Sequence, residues 1–134
     1  MPRIPWPWRS RRRAPTDRAE LGRWGEDLAA RELKRRKYRI LERNVRVGRG
    51  ELDIVASDRD ATVFVEVKTR RDKTFGGARA ALTPTKGRQL ARLAQTYLRQ
   101  HPDRAGDYRI DVVAIDVDPT GDYTVEVIPN AVHL

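Results

Sequence analysis

From residue 17 onward the apolar positions fall at helical spacing, with Leu21, Trp24, Leu28, Ala29 and Leu33 on one broad face and charged residues between them. Thr16 or Asp17 can cap the start, and Lys34, Arg35, Arg36 and Lys37 sit where the negative end of the helix dipole favours cations. The pattern predicts a helix from residue 16 or 17 to about residue 37. The period then shortens to two. Residues 39–47, 51–56 and 62–69 read as strands, with Gly48 and Gly50 punctuating the first junction and the polar run Ser57 to Ala61 closing a hairpin. A second helix starts at Thr83-Pro84-Thr85, carries Leu90, Leu93, Ala94, Tyr97 and Leu98 as its apolar stripe, and is stopped by Pro102. Residues 108–117 and 123–128 form two further strands around the turn Asp118 to Asp122. The order αβββαββ predicts a mixed α/β fold, a central sheet flanked by helices.

Composition narrows this frame. A chain of 134 residues is the size of one domain. With no cysteine it has neither disulfides nor thiolate metal sites, so packing must stabilise it and any metal must bind oxygen or histidine. No apolar run approaches the roughly 20 residues of a membrane helix, and the start lacks a secretory apolar core. The expectation is a cytoplasmic protein that does not enter the membrane.

The net charge of +9 favours a polyanionic partner. Residues 1–15 hold five arginines and no acid, interrupted by Pro2, Pro5, Pro7 and Pro15, and are expected to form a disordered basic arm ahead of a single domain at 16–134. Within that domain, residues 17–50 carry 11 basic and 6 acidic groups and residues 76–106 carry 6 and 1, whereas residues 107–134 carry 1 and 6. Positive charge therefore gathers on the helical segments.

Three ionisable residues stand out in the apolar strands. Alternation puts Glu51, Asp53 and Val55 on one face and Leu52, Ile54 and Ala56 on the other; Phe64, Glu66 and Lys68 share a face opposite Val63, Val65 and Val67. If the two strands pair as a hairpin, Asp53, Glu66 and Lys68 converge, and desolvating them is costly unless they pair or bind an ion. Two carboxylates with a backbone carbonyl and waters suit Mg²⁺ or Mn²⁺. Such a cation can polarise a phosphate and acidify a water that Lys68 orients.

The run Gly50-Glu51-Leu52-Asp53 followed by Glu66-Val67-Lys68 resembles the PD-(D/E)XK nuclease signature, with Glu51-Leu52 where that signature has a proline. Gly25-Glu26, Arg43-Asn44, Phe64 to Arg70, Phe75-Gly76, Lys86, Tyr97-Leu98 and Arg109 to Val113 further resemble the uncharacterised bacterial YraN family over roughly residues 17–117. The resemblance implies a restriction-endonuclease-like core in which Asp53 and Glu66 are metal ligands, Lys68 is the catalytic lysine and Glu26 adds a carboxylate from the helix. Through the family's likeness to archaeal Holliday-junction resolvases it also implies DNA, branched DNA included, as substrate, and a homodimer.

Arg70, Arg71 and Lys73 directly follow the strand of Glu66 and are candidate phosphate contacts, as are Lys86 and Gln89, one turn apart on the second helix. Against these stand plainer readings: a structural ion pair for Asp53, Glu66 and Lys68, a surface partner of Arg23 or Arg31 for Glu26, and a solvated face for Lys86 and Gln89. Arg109 and Asp111 share a strand face and read as a buried structural pair, and Trp24 reads as core. His101 and His133 make no metal pair by spacing, and no glycine-rich phosphate loop or nucleophile elbow is present. Two functions compete: a metal-dependent DNA endonuclease, and a non-catalytic nucleic-acid-binding module that retains the fold. A purely structural interaction protein is the third, least favoured by the clustered charges.

Overall fold

The structure is a computed structural model that describes residues 13–71, 76–104 and 106–132. Helix α1 (Arg18–Arg35) starts where the Asp17 carboxylate accepts the Glu20 backbone N–H at 3.0 Å. It stops short of the expected residue 37. Lys37 takes a left-handed φ of 75°, its N–H reaches the Lys34 carbonyl, and the Tyr38 N–H reaches the Leu33 carbonyl at 3.0 Å. This closure satisfies the last carbonyls without a glycine, while Tyr38 packs into the same core cluster as Leu33.

Strands β1 (Arg39–Val47), β2 (Gly50–Asp58), β3 (Ala61–Arg70), β4 (Tyr108–Val117) and β5 (Tyr123–Ile128) form one five-stranded sheet in sequential order. Every neighbouring pair is antiparallel except β3 and β4, which run parallel. A parallel connection needs a crossover, and helix α2 (Pro84–Gln100) lies within it. Thr83 caps α2 by accepting the Lys86 N–H at 3.2 Å, and Pro84 occupies the first turn, where its missing N–H costs nothing. The αβββαββ order and mixed α/β sheet expected from the pattern are those observed. The β2–β3 turn is tighter than the five residues expected: Ser57 pairs with Thr62 and Asp58 with Ala61, leaving Arg59, at φ 57°, and Asp60 to reverse the chain.

The sheet is covered on both sides. On one face, Leu21, Ala29 and Leu33 of α1 meet Ile54, Val63, Val65, Val113 and Ile115. On the other, Leu90, Ala94 and Tyr97 of α2 meet Val55, Phe64 and Ile110. Trp24 joins the α1-side core, edge-on to Tyr123 at 4.9 Å between centroids. Leu52 departs from simple alternation, packing on the α2 side with Val55 rather than with Ile54. The switch spans Asp53, where β2 has left β3 and pairs with β1 alone, so its twist is no longer tied to the centre of the sheet.

Asp111 is fully buried and accepts hydrogen bonds from Arg109 Nε at 3.0 Å, the Tyr38 hydroxyl at 2.7 Å and the Asn130 N–H at 2.9 Å. Arg109 also bonds Asp58 at 2.8 Å. The buried pair read from the sequence is thus one edge of a larger network, which satisfies the charge that burial would otherwise penalise. Of the expected arm, residues 1–12 lie outside the described residues. At its end, the Ala14 N–H bonds the Gly121 carbonyl at 3.1 Å and Ala14 is buried.

Candidate active site

The β2–β3 ladder runs from Asp58/Ala61 to Ile54/Val65 and ends there, while β3 continues beside β4 as far as Arg70/Asp116. The strands therefore part where the next opposed residues are Asp53 and Glu66. The Asp53 carboxylate spans the opening and accepts the Val67 backbone N–H at 2.8 Å, supplying the acceptor that β2's backbone no longer offers.

Burial pushes the Asp53 carboxyl up to about 7, reinforced by the negative charge of Glu66 and opposed by the Val67 N–H; Glu26 adds a smaller push in the same direction. Near neutrality Asp53 thus stands between its protonated and ionised forms, in a site that would accept a cation. Glu66 faces Lys86 of α2, with Nζ 3.4 Å from Oε2. Two residues beyond Glu66 on β3, Lys68 lines clefts on either side of the strand.

Glu26 reaches the group from α1 because Gly25 lets the helix approach β3 closely. A Cβ at Gly25 would lie 2.1 Å from Thr69 Oγ1. Burial raises the Glu26 carboxyl, Arg43 opposes this, and Glu51, Asp27 and Glu66 add to the rise. Arg43 is in turn bonded to Asp27 at 2.7 Å.

The first cleft, of about 420 Å³, lies between the start of α1 and the end of β3 and includes Glu26 and Lys68. The second, of about 410 Å³, lies on the α2 side and includes Glu66, Lys68 and Lys86. Arg70 is exposed and lines both; Arg71 lines the first and donates to the Pro15 carbonyl. The geometry thus gathers Glu26, Asp53, Glu66, Lys68 and Lys86, with Arg70 and Arg71 along the margin. Gln89 is exposed on α2 and lines neither cleft, and Lys73 lies outside the described residues. Sequence reasoning passed over Arg43 and Glu51 as electrostatic neighbours of Glu26. Glu51 was legible as the residue alternating with Asp53, whereas Arg43 comes from β1, two strands away from β3.

The donor set consists of oxygen, which suits Mg²⁺ or Mn²⁺, and Mg²⁺ commonly takes only one or two protein carboxylates and keeps its waters. Asp53 and Glu66 fit that habit. Among the described residues no group of three or more His, Cys, Asp or Glu side chains is arranged to hold a metal ion. His101 stacks on Tyr97 at 3.9 Å, with Nδ1 2.8 Å from the Tyr97 carbonyl, while His133 lies outside the described residues. No described helix is long and apolar enough to cross a membrane.

A family model described as "Uncharacterised protein family UPF0102" matches residues 25–115. A UPF0102 protein of Mycolicibacterium vanbaalenii is 49% identical over 100 residues, covering 75% of this chain and 83% of its own. One from Pelobacter propionicus is 43% identical over 123 residues, covering 90% and 88%. Among solved structures, SfsA of Pyrococcus furiosus in complex with Ca²⁺ aligns at 16% identity and a TM-score of 0.39, over 90% of this chain and 67% of that one.

Proposed function

The chain belongs to the uncharacterised protein family UPF0102, the YraN family its motifs resemble, and since that description names no activity we propose one from the site: metal-dependent hydrolysis of phosphodiester bonds in DNA. The observation that carries this is the parting of β2 and β3 at Asp53 and Glu66, which leaves two carboxylates at the mouth of the sheet beside Lys68.

Asp53 and Glu66 would hold Mg²⁺ or Mn²⁺, which when bound supplies Lewis-acid polarisation of the scissile phosphate and a more acidic attacking water. The Val67 N–H fixes one Asp53 oxygen, so this carboxylate is positioned before any ligand arrives. Lys68 offers a cation from the same strand to orient the attacking water and balance charge on the phosphate. Glu26 deepens the negative field and can accept a proton from the water side of the site. Arg70, Arg71, Lys73, Lys86 and Gln89 are the phosphate contacts of this reading; they position the backbone without reading sequence. Branched DNA is its preferred substrate, a homodimer its working unit on two strands, and the cytoplasm its place of action.

One observation favours the non-catalytic nucleic-acid-binding reading: the described residues hold no three-ligand acidic or histidine group. Incubating linear and branched DNA with the protein in Mg²⁺ or Mn²⁺ separates the two. Cleavage lost in Asp53→Ala and Lys68→Ala, both still folded, supports the endonuclease. Salt-sensitive binding without cutting of any substrate in either metal supports the binding module.

A further inference from the structure

Helix α1 contains two glycines three residues apart, and the fold explains only one of them. Gly25 is required by the close approach of Thr69, whereas a Cβ at Gly22 would meet nothing within 4 Å. A glycine inside a helix weakens it relative to alanine, so an unpacked one is kept at a cost unless the empty space has a use. That space belongs to the first cleft. Its lining joins Leu21, Gly22 and Val67 to the cations Arg18, Lys68 and Arg70. Among the described residues none of these three cations has an acidic ion-pair partner. Arg18 also stands at the first turn of α1, the end of the helix dipole that disfavours a cation and favours an anion.

A cleft that sets small and apolar residues beside cations without acidic partners suits a nucleotide, whose base or sugar packs on the former and whose phosphate meets the latter. At about 420 Å³ the cleft is in the range of small-ligand sites. A base can enter it only by leaving the helical stack, which costs least where it is already unpaired. Glu26 also lines it, and is electrostatically coupled to Glu66 and Asp53. Resting on the endonuclease reading, we propose that this cleft seats an unpaired nucleotide of the substrate strand adjoining the phosphate to be cut. Within branched DNA, the preferred cleavage position is then one that is single-stranded or frayed on one side.

The test is equilibrium binding without divalent metal, by fluorescence anisotropy, of one labelled oligonucleotide as a single strand and as a blunt duplex. The expected result is that Gly22→Phe, with an unlowered thermal midpoint, weakens single-strand binding at least tenfold and leaves duplex binding within about twofold. Arg18→Ala should weaken the single strand several-fold and flatten its salt dependence by about one phosphate contact. Should Gly22→Phe fail to fold, Gly22→Leu and Arg18→Ala carry the same comparison. Equal losses on both forms, or an undiminished single-strand affinity in folded variants, would overturn the proposal while leaving the endonuclease reading standing. A wild-type protein that binds neither form would sink both.

Discussion

The Asp53 carboxylate lies 2.8 Å from the Val67 backbone N–H, across the opening where β2 and β3 cease to pair. A side chain here replaces a backbone carbonyl, and the replacement carries a charge into a half-buried position. The carboxyl stands at about 7 against an ordinary 3.8, so the folded state binds this proton more tightly than the unfolded chain does. The stability this residue contributes therefore falls as pH rises between about 4 and 7, and above 7 the full penalty for the buried charge is present. Asp53→Asn keeps an acceptor for Val67 and removes the charge. Its thermal midpoint should exceed wild type by a few degrees at pH 8, on the order of 1 kcal/mol once partial exposure is allowed for, with the difference vanishing below about pH 4. Calorimetry across that range checks the sign, and the same variant should no longer cleave.

The proton on Asp53 and a divalent cation compete for the same oxygens. Mn²⁺ affinity, followed by the paramagnetic resonance of the free ion, should rise roughly tenfold per pH unit below about 7 and level off above it. A flat profile from pH 5 to 9 would mean that Asp53 is not a ligand.

Lys86 sits 3.4 Å from Glu66, and the pair is partly exposed, at 37% and 16% of the respective side chains. Lys86 thus occupies a carboxylate that a metal would claim. Removing it in Lys86→Ala should tighten Mn²⁺ binding about threefold to tenfold, on the order of 1 kcal/mol at such exposure, and weaken DNA binding by losing a phosphate contact. Lys86→Arg should stay near wild type in both titrations.

The two glycines of α1 predict opposite outcomes for the same substitution. Gly22→Ala adds a methyl in open space and should stabilise the helix by about 1 kcal/mol. Gly25→Ala drives a methyl into Thr69 and should destabilise the protein by about 1–3 kcal/mol, moving Glu26 away from Glu66 as α1 is pushed off β3. Chemical denaturation of the two variants side by side measures both.

Much of this arrangement could be read from residue order, because periodicity is local. The apolar stripes of α1 and α2, the alternation in β3 and the capping residues Asp17 and Thr83 each act within a few positions of themselves. What could not be read depends on partners far along the chain. Lys37 is the exception, ending α1 by a left-handed turn whose bonds are local but carry no glycine signal, whereas Leu52 changes sides because β2 leaves β3. The convergence of Asp53 and Glu66 was visible as a hairpin register, yet the opening between them arises because β3 stays with β4 after β2 has departed. Arg109 and Asp111 were legible as a pair on one strand face, whereas Tyr38 reaches them from the turn before β1 and Asp58 from the end of β2.

The central claim is that Asp53 and Glu66 together grip a divalent ion, and anomalous diffraction from a crystal soaked in Mn²⁺ above pH 7 tests it most directly. The account predicts one manganese peak shared by those two carboxylates and absent from Asp53→Asn. No peak there at saturating Mn²⁺, or a peak bound by other side chains while both carboxylates stay vacant, would contradict it.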